Sequence, residues 1–151
     1  MNSKKQFVVI PYKSVGDLNF SMTQLDVEQI LGKSYETIND NIMGEIREYR
    51  TDFILVYIRN KLVDIRFSDK NKLNEINIYL NDIVINNCSN IIDVLINYPN
   101  SKPSEIFNGY INFYGLGINL GGFGKAKSKE GREIRFFAKN RIKYYEHYLK
   151  A

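Results

Sequence analysis

Tryptophan is absent from this sequence, and cysteine and histidine occur once each. Cys88 alone cannot close an internal disulfide, nor can it share a zinc ion with a second thiolate. His147 leaves no histidine pair for a metal and no second base for a proton relay. It stands among Tyr144, Tyr145 and Tyr148, where an amphipathic surface position explains it. Long apolar runs are missing too: FVVI, residues 7–10, ends at Pro11 and is too short for a signal-peptide core or a membrane span. These absences lead to the expectation of a cytoplasmic protein that needs no disulfide, metal or membrane.

Hydrophobic residues make up 44% of the chain and aromatics 13%, all of them Tyr and Phe, which excludes disorder. At 151 residues the chain reads as one domain, 1–151, large enough to bury a core. The formal net charge of +4 is uneven. From Gly124 to Ala151 nine basic residues face three acidic ones, so that segment holds +6 and the rest of the chain −2.

Two stretches resemble each other. DLNFSMTQLDVEQILGKS, residues 17–34, aligns without a gap on DIVINNCSNIIDVLINYP, residues 82–99, matching Leu18 with Ile83, Phe20 with Ile85, Val27 with Ile92, Ile30 with Leu95 and Leu31 with Ile96. A second correspondence follows in the same order: DIRFS at 64–68 with EIRFF at 133–137. The spacing predicts an α+β fold of two pseudo-repeats, 5–72 and 73–140. Each is a strand, a short helix and antiparallel strands, joined in a mainly antiparallel sheet with the helices on one face, and a short helix over 140–150 closes the chain. In the first unit Ser21 or Thr23 caps the helix with Asp26 three residues beyond Thr23, and Gly32 stops it; Leu25 or Met22, Val27, Ile30 and Leu31 form its apolar face. The stretch SYETINDNIMG reads as a polar connector, and RNK, residues 59–61, as a hairpin turn. Ser89 or Asn86 caps the second helix.

Catalytic groupings are tested one by one. Cys88, near the start of the second helix, could be acidified by helix amides, but Thr23 takes its place in the first unit and the only histidine lies at the far end of the chain. The glycines Gly115, Gly117, Gly121, Gly122 and Gly124 do not form a phosphate loop, because Ala126 occupies the hydroxyl position and the cluster lies between strands; bulges and a hairpin end account for them. Asp64 and Glu133 begin the two IRF strands, and Arg66 and Arg135 point away from Ile65, Phe67, Ile134 and Phe136; solvated ion pairs across the sheet explain them. No catalytic residue and no cofactor are therefore expected. The basic run over 124–143, with Lys125, Lys127, Lys129 and Arg132 and with Tyr144 and Tyr145 close by, has the composition of a surface for nucleic acid or for an acidic protein.

The motif LNFSMTQLDVEQILG, set in a duplicated strand–helix–sheet unit, resembles the small immunity proteins encoded beside bacterial polymorphic and contact-dependent toxins. The layout is also similar to the tandem helix-plus-sheet inhibitors of the β-lactamase inhibitor protein type. The resemblance implies a non-enzymatic protein-binding module that occludes the active site of a cognate toxin domain. Immunity proteins against nucleases tend to be acidic, so a basic chain end argues either against a nuclease target or for a contact on the acidic cluster of the first unit, Glu36, Asp40, Glu45 and Glu48. The alternative is a nucleic-acid-binding module using 124–143.

Overall fold

The structure is a computed structural model that describes residues 4–123 and 131–148. The fold is α+β, as expected, with strands in two sheets where one was anticipated. The chain begins β1 (Lys5–Ile10), β2 (Ser14–Val15), β3 (Leu18–Asn19), α1 (Gln24–Leu31), β4 (Glu36–Asp40), β5 (Glu45–Tyr49), β6 (Ile54–Ile58), β7 (Lys61–Ser68). It continues β8 (Ile76–Leu80), β9 (Ile83–Val84), α2 (Ile91–Ile96), β10 (Tyr110–Phe113), β11 (Ile118–Gly121), β12 (Glu133–Phe137), α3 (Ile142–Tyr148). The larger sheet runs β10-β11-β12-β7-β6-β5-β4, antiparallel throughout. The smaller runs β3-β2-β1-β8-β9, with β1 and β8 parallel from Lys5↔Ile76 to Val8↔Tyr79.

Read outward from the β7/β12 pair, the large sheet repeats itself: β12-β11-β10 on one side, β7-β6-β5 on the other, with β4 left over. That is the order produced when the last strands of two similar meanders pair antiparallel. The register sharpens it. Arg66 and Arg135, which occupy the same place in the two IRF segments, are direct cross-strand partners. An axis relating the meanders passes through those arginines.

Local chemistry explains most element ends. Thr23 and Asp26 close the expected capping box, the Thr23 hydroxyl accepting from the Asp26 amide at 3.1 Å and the Asp26 carboxylate from the Thr23 amide at 3.0 Å. The RNK turn holds Arg59 and Asn60 at φ 51° and 59°, and the β8–β9 turn holds Asn81 and Asp82 at 47° and 60°, the twin left-handed pair that matches strand twist in a two-residue hairpin. Gly115 is fixed by space: a Cβ there would lie 1.4 Å from the Asn100 carbonyl oxygen.

One core joins both sheets. Val9, Ile76 and Ile78 of the small sheet pack with Leu55, Ile65, Phe67, Ile118, Ile134 and Phe136 of the large one. Phe7 meets Phe53 and Phe67 edge to face at 5.8 and 5.3 Å. A bulge keeps β7 in phase: Leu62 pairs with Tyr57 and Asp64 with Val56, so Val63 is an extra residue. Leu62 and Ile65 thereby both reach this core, three residues apart, while Val63 packs with Val56 and Ala138 elsewhere.

The helices depart from expectation in three ways. Of the apolar face foreseen on α1 only Val27 is buried; Leu25 is 63% exposed, and Ile30 and Leu31 lie outward. α2 begins after Asn90 without a side-chain cap. Asn86 is instead wholly buried: its side-chain oxygen accepts from the Ile78 amide at 2.9 Å, and its nitrogen donates to the carbonyls of Leu73 at 3.0 Å and Ile76 at 2.7 Å. Finally, α1 and α2 feed the shared core, whereas α3 packs on the opposite face of the large sheet, where Tyr145 stacks on Phe137 at 4.3 Å. Among the described residues no helix is long and apolar enough to cross a membrane.

Asn86 satisfies three backbone groups at once, so Asn86→Leu should destabilise the fold by about 2–4 kcal/mol through the unmade bonds, measured as a lowered urea midpoint with unchanged slope.

Candidate protein-binding surface

The outer face of the large sheet is built by alternation. Cross-strand registers set Glu36, Tyr49, Ile54, Arg66, Arg135, Asn119 and Asn112 in one row across the strands; Ile38, Arg47, Val56, Asp64 and Phe137 form the next. A third row holds Asp40, Glu45, Ile58 and Lys61. The partners of these strands' inner positions, Leu55, Ile65, Phe136 and Ile118, lie in the core.

The centre of this outer face is buried and charged, where solvated ion pairs were expected. Asp64, fully inaccessible, accepts from the Tyr145 hydroxyl at 2.6 Å and pairs with Arg66 at 3.3 Å and Arg141 at 3.2 Å. Glu133, its counterpart, pairs with Arg135 at 3.2 Å and accepts from the Tyr110 hydroxyl. Arg141 continues to Glu45 at 2.7 Å, its guanidinium lying over the Tyr144 ring at 3.7 Å. Three arginines and three carboxylates therefore neutralise one another, which is the condition for holding such groups away from water. Burial works against the Arg66 charge, but the acidic groups around it, Asp64 foremost with Tyr145, Tyr144 and Glu45, together outweigh it and hold the guanidinium ionised.

Glu48 belongs to the other face. Cross-strand from Leu55, it is buried under α1, accepting from Arg50 Nε at 3.1 Å, from the Tyr57 hydroxyl at 3.1 Å and from the Gln24 side chain at 3.3 Å. Arg50 in turn donates to the Gly32 carbonyl at 3.0 Å. The Glu48–Arg50 pair thus grips both ends of α1, and this substitutes for the apolar face the helix does not bury.

The acidic cluster anticipated as a contact is therefore divided. Glu45 and Glu48 are buried and spoken for; a strand carboxylate can be read as buried only when its partner lies near in sequence, and Arg141 lies 96 residues from Glu45. Glu36 is exposed, and Asp40 is half-buried, capping the next turn through the Ile42 and Met43 amides and facing Arg47 at 3.6 Å. Of the basic set, Lys125, Lys127 and Lys129 lie outside the described residues. Arg132 grips Asp69, Nη2 to Oδ1 at 2.8 Å, and those hydrogen bonds hold the Asp69 carboxyl below its ordinary range although partial burial pushes the other way. Tyr145 is buried and cannot meet a partner, and Tyr144 is half-buried beneath Arg141.

What the outer rim does offer is the β4–β5 hairpin. The stretch read as a polar connector holds the strand β4, which among the described residues pairs only with β5. Around it Tyr35 is 76% exposed, Ile38 36% and Ile42 95%. Between this hairpin and α3 a hollow of about 380 Å³ is lined by Met43, Ile58, Asn140, Arg141, Lys143, Tyr144 and His147. Isolated apolar side chains on a surface are ordinary; Ile38 and Ile42 on one hairpin beside a hollow, with Tyr35 turned to the α1 side beside Leu31 and Phe53, make this hairpin the candidate contact surface. A lone isoleucine in the asparagine- and aspartate-rich run NDNIMG was the signal available in the sequence.

Removing the Glu45 partner with Arg141→Met should cost about 3–5 kcal/mol, because a buried carboxylate is stranded. Arg132→Ala, at an exposed pair, should cost less than about 1 kcal/mol; urea melts compare the two. Burial, aided by neighbouring carboxylates, pushes the phenols of Tyr57 and Tyr145 well above their ordinary 10, and burial pushes Tyr12 up to about 12. Groups held neutral by the fold stabilise it fully below pH 10 and stop doing so as pH climbs through their folded values. The thermal midpoint should hold from neutral pH to about pH 9 and fall above pH 10, with these phenolates forming together with unfolding; their ionisation in the intact fold near pH 10 would contradict this.

Compared with protein-family models, with curated proteins and with solved structures, the chain finds no match.

Proposed function

We propose that the chain is a non-enzymatic protein-binding module and, within that class, a bacterial immunity protein that neutralises a toxin domain by covering its active site. The observation that carries the reading is the β4–β5 hairpin, which presents Ile38 and Ile42 to solvent at the rim of an otherwise neutralised polar face, with Tyr35 exposed just before it on the α1 side. Large apolar and aromatic side chains ringed by polar groups are the composition of interface centres. The polar groups on that face support the same reading, since Asp64, Glu45, Arg66 and Arg141 pair with one another and serve as scaffold. The toxin-neutralising form rests on the resemblance carried by the LNFSMTQLDVEQILG motif and the duplicated strand–helix–sheet unit of the sequence.

The surface asks little reorganisation of itself. The hairpin is anchored through β5 to the Glu45–Arg141 and Glu48–Arg50 pairs, so its exposed side chains are held on a stiff base, and binding then costs less ordering. Of the described basic residues in 124–143 on which the nucleic-acid alternative rests, Arg132, Arg135 and Arg141 are already paired with Asp69, Glu133 and Glu45, and Lys139 lies over the Tyr12 ring.

Co-expression with the toxin domain encoded beside this gene should restore growth and give a complex on size exclusion. Ile38→Asp together with Ile42→Asp should weaken that complex by tenfold or more, on the order of the effect of removing a central contact, with little change in the thermal midpoint because both side chains are exposed. Persistent growth arrest without a complex, or salt-sensitive RNA binding in its place, would sink the reading.

A further inference from the structure

The two edges of the large sheet are treated differently. At β10 the chain folds back on itself: Pro103 bridges to Phe113, and Phe107 to Tyr110, so the edge is partly sealed. At β4 no described residue bridges to the free side, and four of its five residues are exposed. A strand with one open row of amide and carbonyl groups is a template for another strand. Its outward-facing side chains read Glu36, Ile38, Asp40, an apolar residue between two carboxylates, in register with the outer-face rows of the sheet.

That pattern says what can pair there. A second copy added antiparallel about Ile38 would set Glu36 of each chain against Asp40 of the other, two like-charge contacts where cross-strand neighbours should be opposite. The charges disfavour self-association and select a basic partner. Glu36 has the freer carboxylate, since Asp40 already accepts from the Ile42 and Met43 amides and faces Arg47.

We propose that β4 is a docking edge: an extended segment of the partner protein pairs with it antiparallel as an eighth strand, setting an apolar side chain beside Ile38 and lysine or arginine beside Glu36 and Asp40. This rests on the protein-binding reading above and adds where and how the partner engages. Backbone bonds supply the attraction, the alternating side chains the selection, and Ile42 and Tyr35 flank the added strand to extend the contact.

The test uses the full chain and a capped peptide of threonines alternating with arginine, isoleucine and arginine. Amide resonances over 35–42 should shift saturably. The peptide with glutamate in place of arginine should bind more weakly, by roughly five- to tenfold, the ratio expected when opposite cross-strand charges become like ones. Glu36→Lys should cancel the preference and Glu36→Lys with Asp40→Lys reverse it, and N-methylation of alternate peptide amides should abolish binding while circular dichroism of the chain stays unchanged. Absent shifts, shifts elsewhere, equal binding of both peptides, or a dimer of the chain through β4 would overturn the proposal. Hydrogen exchange separates it from the toxin reading. A toxin complex that leaves β4 amides unprotected refutes the docking edge alone, and peptide engagement of β4 without any toxin complex refutes the toxin reading alone.

Discussion

The seam between β7 and β12 is the constraint on which the rest depends. Two similar meanders can share one continuous sheet only if their last strands pair, and the pairing found here brings Arg66 and Arg135 side by side. Two adjacent guanidiniums, each with its side chain only 15% exposed, are tolerable only with carboxylates in fixed positions. Asp64 and Glu133 meet that need from the same strands, two residues earlier. Asp64 is then shared with Arg141 and Tyr145, and this sharing docks the last helix onto the sheet. Closing the seam and placing α3 are one electrostatic problem with one solution.

The same alternation that points these charges outward sends Ile65, Phe67, Ile134 and Phe136 inward to meet Phe7, Ile76 and Ile78 from the small sheet. The bulge at Val63 is what lets β7 serve both purposes, since in an unbulged strand Leu62 and Ile65, three residues apart, would face opposite ways. Polar staples work where apolar contact runs short. Asn86 ties β8 to its following turn, and Glu48 with Arg50 holds a helix that buries little beyond Val27.

Much of the fold was legible because its signals are local. The Thr23–Asp26 box, the left-handed pairs at Arg59–Asn60 and Asn81–Asp82, and the repeated IRF each depend on a few adjacent residues. The illegible parts depend on partners far along the chain. Glu45 and Glu48 have the composition of surface residues, and only Arg141 and the underside of α1 bury them. Ile30 and Leu31 fit an apolar helix face by spacing, but an eight-residue helix on the sheet's flank inserts one side chain. β4 escaped notice because an edge strand exposed on both faces has no alternation to display. The candidate surface lies mostly there, so the site was the least readable part of the molecule.

β4 is also where the two meanders differ, since among the described residues the second ends at β10 without a fourth strand. An added strand left open exposes a chain to unwanted pairing, and charged side chains on the edge are a known defence. Glu36 and Asp40 provide that defence against the chain's own copies through charge repulsion, while leaving the backbone row open. Blocking with proline or with a bridging loop, as at β10, would have protected the edge against every partner. Protection by charge is selective, and an edge that excludes only acidic strands remains available to basic ones.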